Sequence, residues 1–225
     1  MQNVFKAIAN KINAQYNKTN LCAGVQCFQN WAERSGRKLA KAGISANMVS
    51  ICGFVIGMFA VNFLALEMYL WALLCILANR VCDALDGAVA KIRGKTDFGV
   101  FLDACLDYVF YAGVIFGFAL ADDDNAVAAA FLLFGFAASA CAMLAYATIA
   151  YSRKTQADEA LNESPFYLGG LAQGAETITV LVALCLVPSW FVPAAGILGC
   201  WCLAKTLLVV STAYYNFVIA AKGKK

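Results

Sequence analysis

The chain has 225 residues, 62% of them hydrophobic and 14% charged, with a formal net charge of +3 and no histidine. Soluble domains are roughly half apolar and about a quarter charged, so this chain cannot cover its surface in water and belongs in a bilayer. The absence of histidine excludes the common zinc sites, Ser-His-Asp hydrolases and HExxH metallopeptidases, leaving carboxylates, hydroxyls, amines and thiols to carry any chemistry.

Residues 1–44 are the most polar part of the chain and read as a separate cytoplasmic or interfacial segment. Their start, Met1-Gln2-Asn3-Val4-Phe5-Lys6, does not have the form of a signal peptide. Phe28, Trp31, Ala32 and Leu39 fall near one helical face, and Arg34, Arg37, Lys38 and Lys41 fall on others. That pattern predicts an amphipathic helix lying along the membrane surface, with a helix docked on the bundle as the alternative.

Apolar stretches near 46–66, 68–90, 98–121, 126–151, 166–187 and 191–219 each approach the roughly 20 residues a helix needs to cross a bilayer. The expected fold is therefore all-α: one catalytic bundle of six transmembrane helices over 45–221, preceded by the interfacial helix and followed by a basic tail, 222–225. Lys6 to Lys41, Lys91 to Lys95, Arg153 with Lys154, and Lys222 to Lys225 occupy alternate connections, whereas the connections around Glu67, Asp122–Asn125 and Pro188 hold no Lys or Arg. The positive-inside rule then puts both termini and the 91–97 turn in the cytoplasm, in a prokaryotic inner membrane.

Gly53 and Gly57, Gly113 and Gly117, and Gly170 and Gly174 are GxxxG pairs, which let helix backbones approach closely within a bundle or across a dimer. Of the ten cysteines, Cys52, Cys75, Cys82, Cys105, Cys141, Cys185, Cys200 and Cys202 lie in apolar stretches without a CxxC pair, and are expected to be inert, buried packing residues.

Acids inside a membrane are rare and usually functional. Four of them flank the turn at 91–97. Asp83, Asp86, Gly87 and Ala90 follow i, i+3, i+4, i+7 on the outgoing helix, and Gly99, Asp103 and Asp107 follow i, i+4, i+8 on the returning one. The turn is short, so the two acidic faces belong to antiparallel neighbours and can meet. At 1.5 Å of rise per residue Asp83 lies about 12 Å from Lys91 and Asp107 about 15 Å from Asp97, in the cytoplasmic half of the membrane. Four carboxylates there cannot all stay ionised without cations. An all-oxygen ligand set suits magnesium, manganese or calcium, and two dications would cancel four charges and could bridge phosphate oxygens. Gly87 and Gly99, one turn from the carboxylates, leave room for a ligand against the backbone.

The run Asp83-x2-Asp86-Gly87-x2-Ala90-Lys91, seven residues, then Gly99-x3-Asp103-x3-Asp107 resembles the D-x2-D-G-x2-A-R…G-x3-D-x3-D signature of the CDP-alcohol phosphotransferases (CDP-alcohol phosphatidyltransferases). Seven fixed residues are identical, and Lys91 stands for the family's Arg, keeping the charge but not the planar fork. The resemblance implies transfer of a phosphoalcohol group from a CDP-alcohol, in first place CDP-diacylglycerol, to an alcohol acceptor, with release of CMP. It implies that Asp83, Asp86, Asp103 and Asp107 hold two divalent cations, Mg2+ or Mn2+. Asp107 would also be the general base. Gly87, Ala90 and Gly99 would line the cytidine pocket, with Lys91 near the phosphates. Ala46-Asn47-Met48-Val49-Ser50 partly matches the P-N-x-x-T stretch that opens the first span in family members, through Asn47 and, conservatively, Ser50.

Glu176, with Gln173 a turn away, and Lys205 also lie in apolar spans, at depths of roughly 18 and 21 Å from the outer turn for Glu176 and Lys205. They form an ion pair, bind the acceptor or meet a dimer partner. Arg153 and Lys154 either bind an acceptor phosphate or only set topology. The expected partners are the lipid bilayer, the CDP-alcohol, the acceptor and a second copy of the chain, and not nucleic acid. Two other readings compete: a cation transporter using the aspartates as an ion path, and a magnesium-dependent intramembrane prenyltransferase. The second fits less well, because such enzymes place their acidic motifs far apart in the chain.

Overall fold

The computed structural model describes residues 23–152 and 177–219, and every regular element among them is helical. In chain order these are α1 (Ala23–Lys41), α2 (Ala46–Ala65), α3 (Tyr69–Arg93), α4 (Asp97–Ala121), α5 (Ala126–Ser152), α6 (Thr177–Leu186) and α7 (Phe191–Tyr214). α2, α4 and the runs Asp123–Ile149 and Pro188–Val218 are each long and apolar enough to cross a membrane. α3 has 25 residues, enough for about 37 Å, but its own charges keep its composition below that of a simple span. The expected span at 166–187 is described only from Thr177 onward, and Glu176, Gly170, Gly174, Arg153, Lys154 and the tail at 222–225 lie outside the described residues.

The helix ends follow from local chemistry. Gly43, at φ +88°, closes α1 in the left-handed conformation that glycine adopts without cost. Ile44 N–H donates to Leu39 C=O (3.1 Å) and Gly43 N–H to Ala40 C=O (3.2 Å), the paired bonds of a Schellman motif. The Ser45 side chain then accepts from Met48 N–H (3.3 Å) and starts α2, as Thr96 accepts from Gly99 N–H (3.0 Å) to start α4. α2 ends in a second such turn, with Met68 N–H donating to Phe63 C=O (2.8 Å). Here Glu67, at φ +57°, takes the position that glycine usually fills.

The described residues divide into two compact units, 23–126 with 181–188, and 127–152 with 177–180 and 189–219. In the first, α2 packs on α3 and α4 through the predicted glycine pairs. A Cβ on Gly53 would lie 2.5 Å from Cys82 Cβ, and one on Gly57 2.8 Å from the Phe110 ring. Gly113 faces Met58 and Val61, and Gly117 faces Val61 and Leu64. Both described GxxxG pairs therefore serve contacts within the unit. In the second, α5 meets α7 where a Cβ on Gly135 would lie 2.8 Å from Gly199 O. Tyr146 OH accepts from Asn216 Nδ2 (2.9 Å) further along the same two segments.

One expectation needs correction and another gains detail. In α1, Ala32 is buried and Gly36 abuts Ala88 of α3, while Phe28 and Trp31 stay exposed and stack on each other at 5.8 Å. The small residues sit where α1 must approach α3, and the aromatics are too large for that gap. The cysteines do not all pack inside either. All nine described are free thiols, but only Cys185 and Cys202 are buried, whereas Cys27, Cys52, Cys105, Cys141 and Cys200 are exposed. For helices in lipid an outward apolar residue carries no solvation cost, so hydropathy does not report which way it faces.

Candidate metal centre

α3 carries Asp83 and Asp86 one turn apart, and α4 runs back beside it with Asp103 and Asp107 a turn apart. The turn between them, Gly94-Lys95-Thr96, is tight because Gly94 takes φ +93° and Thr96 caps α4 at once. Ligand oxygens of Asp83, Asp86 and Asp103 lie within 4.8 Å of one another. Asp86 is buried and accepts from Ser50 Oγ of α2 at 2.6 Å, a charge-assisted bond that fixes its orientation.

Three crowded carboxylates with only oxygen to offer form a donor set suited to a hard divalent cation. A small cavity of about 20 Å³ adjoins them, lined by all four acids with Ser50 and Asn79. That is room for one water-sized occupant. The residues present therefore fit a bound Mg2+ or Mn2+.

Asp107 stands apart from the other three. One of its oxygens accepts from Arg80 Nη2 at 2.8 Å, and Arg80 Nη1 also lies 3.5 Å from Asp83. Arg80 is itself held: Nε donates to Asn79 Oδ1 (2.9 Å), Nη1 to Tyr111 OH (3.0 Å), and the guanidinium lies 5.1 Å from the Phe110 ring centroid. Asn79, buried, donates in turn to Gly53 O at 3.0 Å. Arg80, Asn79 and Tyr111 were not singled out from the sequence. The available signal was Arg80 itself, a charge within an apolar stretch and three residues before Asp83, because an intramembrane charge is functional by default.

Beside the carboxylates opens a cleft of about 370 Å³. Asn47, Asp86, Gly87, Ala90, Gly99 and Asp103 all line it. A Cβ on Gly87 would meet nothing within 4 Å, so this glycine keeps the cleft wide. Gly99 does a different job. A Cβ there would lie 2.9 Å from Thr96 Oγ1 and 3.0 Å from Asn47 Oδ1, so glycine is what lets α4 begin against α2.

Lys91 is exposed and is not among the lining residues; Arg93 and Lys95 are. Arg93 donates to Ala40 O (3.0 Å) and Gly43 O (3.2 Å), capping the end of α1. Lys205 is far along the sequence in α7, with its ammonium 5.3 Å from the Trp201 ring. Its expected partner Glu176 lies outside the described residues.

Residues 44–213 match the family model described as CDP-alcohol phosphatidyltransferase. The chain is 45% identical over 179 residues to "Inner membrane protein YnjF" of Escherichia coli (strain K12), covering 79% of this chain and 87% of that protein. It is 39% identical over 89 residues to "Archaetidylinositol phosphate synthase" of Pyrococcus horikoshii, 39% of this chain and 47% of that one. An uncharacterized protein of Aquifex aeolicus is 38% identical over 69 residues, 30% of this chain and 35% of its own. No solved structure matches.

Proposed function

The chain belongs to the CDP-alcohol phosphatidyltransferase family, and from that premise we propose that it transfers a phosphatidyl group from CDP-diacylglycerol to an alcohol acceptor, releasing CMP, in phospholipid synthesis. One observation carries the reading: the signature residues Asp86, Gly87, Ala90, Gly99 and Asp103 border a single cleft next to the carboxylate group. An ion path through the membrane needs no such cleft, and the family match favours the transferase over the prenyltransferase as well.

The cleft takes the nucleotide, with Gly87 and Ala90 leaving space and Asn47 offering an amide. Asp83, Asp86, Asp103 and Asp107, which line one cavity, would hold two divalent cations, Mg2+ or Mn2+, whose charge offsets that of a diphosphate. Asp107 takes the proton of the acceptor hydroxyl. The acceptor oxygen forms a bond to the β-phosphorus while the bond from that phosphorus to the CMP oxygen breaks, and CMP leaves with the electron pair. Positioning and electrostatics supply most of the acceleration. Arg93 and Lys95 add positive charge to the cleft.

The rest of the reading concerns placement. The bundle has six spans with both termini and the cleft facing the cytoplasm, α1 lies at the interface with Phe28 and Trp31 toward lipid, and two copies associate. Arg153, Lys154, Glu176 and Lys205 are candidates for acceptor binding. The name of the Pyrococcus relative makes an inositol phosphate the first acceptor to try.

The test is CMP release by the purified protein from CDP-diacylglycerol against a panel of glycerol 3-phosphate, serine, inositol phosphate and phospholipid. Release that needs one acceptor and stops in EDTA is expected. No release with any CDP-alcohol would sink the proposal.

A further inference from the structure

We propose that Arg80 is a built-in counter-charge, a positioning residue that assembles the four carboxylates without a cation and in doing so weakens their grip on one. This rests on reading those acids as cation ligands. All four line one small cavity, and Arg80 is the one cationic residue among the described residues that line it. Its Nη2 donates to Asp107 Oδ1 at 2.8 Å, and its Nη1 lies 3.5 Å from Asp83 Oδ2. The guanidinium thus bridges one acid of α3 and one of α4, the two helices whose carboxylates repel each other across the cavity. Its side chain is only 15% exposed, so water screens these pairs weakly.

The guanidinium is fixed from several sides. Nε donates to Asn79 Oδ1, Nη1 donates to Tyr111 OH, and the rings of Phe110 and Tyr111 lie 5.1 and 5.4 Å from its central carbon. Asn79 is tied in turn to the backbone of α2 at Gly53. A long basic side chain left to itself in a span carries its charge outward to water or headgroups. Here α2, α3 and α4 together aim it at the carboxylates. Four carboxylates in a site of low dielectric are tolerated only with positive charge alongside. Arg80 supplies one such charge by sequence, and a bound dication does the same more strongly. Guanidinium and dication carry the same sign and act on the same group of oxygens, so each lowers the benefit of the other. Arg80 precedes the signature residues, which begin at Asp83, so the signature does not assign it a role.

The experiment measures thermal unfolding in EDTA and in saturating Mn2+, and Mn2+ binding by calorimetry, on full-length protein. The preparations are wild type, Arg80→Met, Arg80→Lys and the double variant Arg80→Met/Asp107→Asn. Methionine keeps much of the apolar stem and removes the charged head. In EDTA, Arg80→Met should melt at least about 5 °C below wild type, as expected when buried charges lose their partner. In Mn2+ that deficit should shrink to about half or less, because the dication replaces the missing charge. Mn2+ should also bind Arg80→Met at least about threefold tighter, since it no longer meets a like charge a few ångströms away. Arg80→Lys, which keeps the charge, should bind Mn2+ as wild type does. The double variant removes one charge of each sign and should regain most of the stability lost in EDTA. A packing role alone predicts equal deficits in EDTA and Mn2+ with unchanged Mn2+ affinity, and that result overturns the proposal. So does weaker Mn2+ binding in Arg80→Met, which would make the arginine an aid to the ligands rather than their competitor. Should Arg80→Met fold in neither condition, the double variant decides: folding in EDTA supports the counter-charge, and failure overturns it. Wild type that gains no stability from Mn2+ overturns the ligand reading and this proposal with it. Gain in wild type, with equal deficits in Arg80→Met, overturns this proposal alone.

Discussion

Two helix pairings in this protein use glycine in the same way and lead to different ends. Where α2 meets α3, Gly53 lets the helices approach, and the space beside it is lined by Asn79, Arg80 and the carboxylates. Where α5 meets α7, Gly135 and Gly199 bring the backbones together, and what surrounds them is Phe131, Leu132 and Cys202. Close approach is thus a packing device that either region can use. It becomes part of a site only where polar side chains occupy the gap and satisfy one another. In α3 every such group has a partner: Ser50 for Asp86, Asn79 for the Gly53 carbonyl, Arg80 for Asp107.

The largest expected effect removes the polar side of that comparison. Asp83→Asn or Asp103→Asn should lower CMP release by at least about 10²-fold and weaken the thermal stabilisation that Mn2+ gives the protein, read as a shift in melting temperature. Unchanged activity in either variant would mean that these carboxylates hold no ion the reaction uses.

Next come the glycines, where the two roles should separate. Gly53→Ala drives a methyl group against Cys82, and overpacking of this kind costs about 1–3 kcal/mol in thermal or denaturant unfolding. Gly135→Ala, against the Gly199 carbonyl, should cost about as much and leave the KM for CDP-diacylglycerol unchanged. Gly87→Ala should do the reverse. Its methyl meets no neighbour, so stability holds or rises by up to about 1 kcal/mol, while KM increases because the cleft is smaller. A Gly87→Ala protein that is unstable with an unchanged KM would break the contrast.

The smallest effect lies away from both pairings. Glu67→Gly replaces a side-chain-bearing residue held at φ +57° and should raise stability by up to about 1 kcal/mol without touching activity. A lower melting temperature would show that the Glu67 side chain contributes more than its backbone costs.

Much of this was legible in the sequence, because hydropathy and the 3.6-residue period are strong signals in a membrane helix. The paired acidic faces of α3 and α4 follow from spacing alone, and so does the use of Gly53, Gly57, Gly113 and Gly117 at close contacts. The sequence left open whether those glycines serve the bundle or a dimer, since both need the same small residues. It did not reveal that Asp107 would turn to Arg80, because helical period assigns a face but not a hydrogen-bond partner. The same limit applies to Lys91: a position next to Ala90 says nothing about whether the side chain reaches the cleft, and here Arg93 and Lys95 line it instead. Phe28 and Trp31 share a face with Ala32 by period, yet only the small residue fits against α3.

The most direct test of the account is Asp107→Asn, with Mn2+ binding, CDP-diacylglycerol binding and CMP release measured on one preparation. Asparagine keeps the size and one coordinating oxygen but cannot accept the proton. The account predicts that both ligands bind as in wild type while transfer falls by at least about 10²-fold, the usual scale for loss of a general base. If binding and transfer fall together, Asp107 is only a fourth ligand and its reading as the base is wrong.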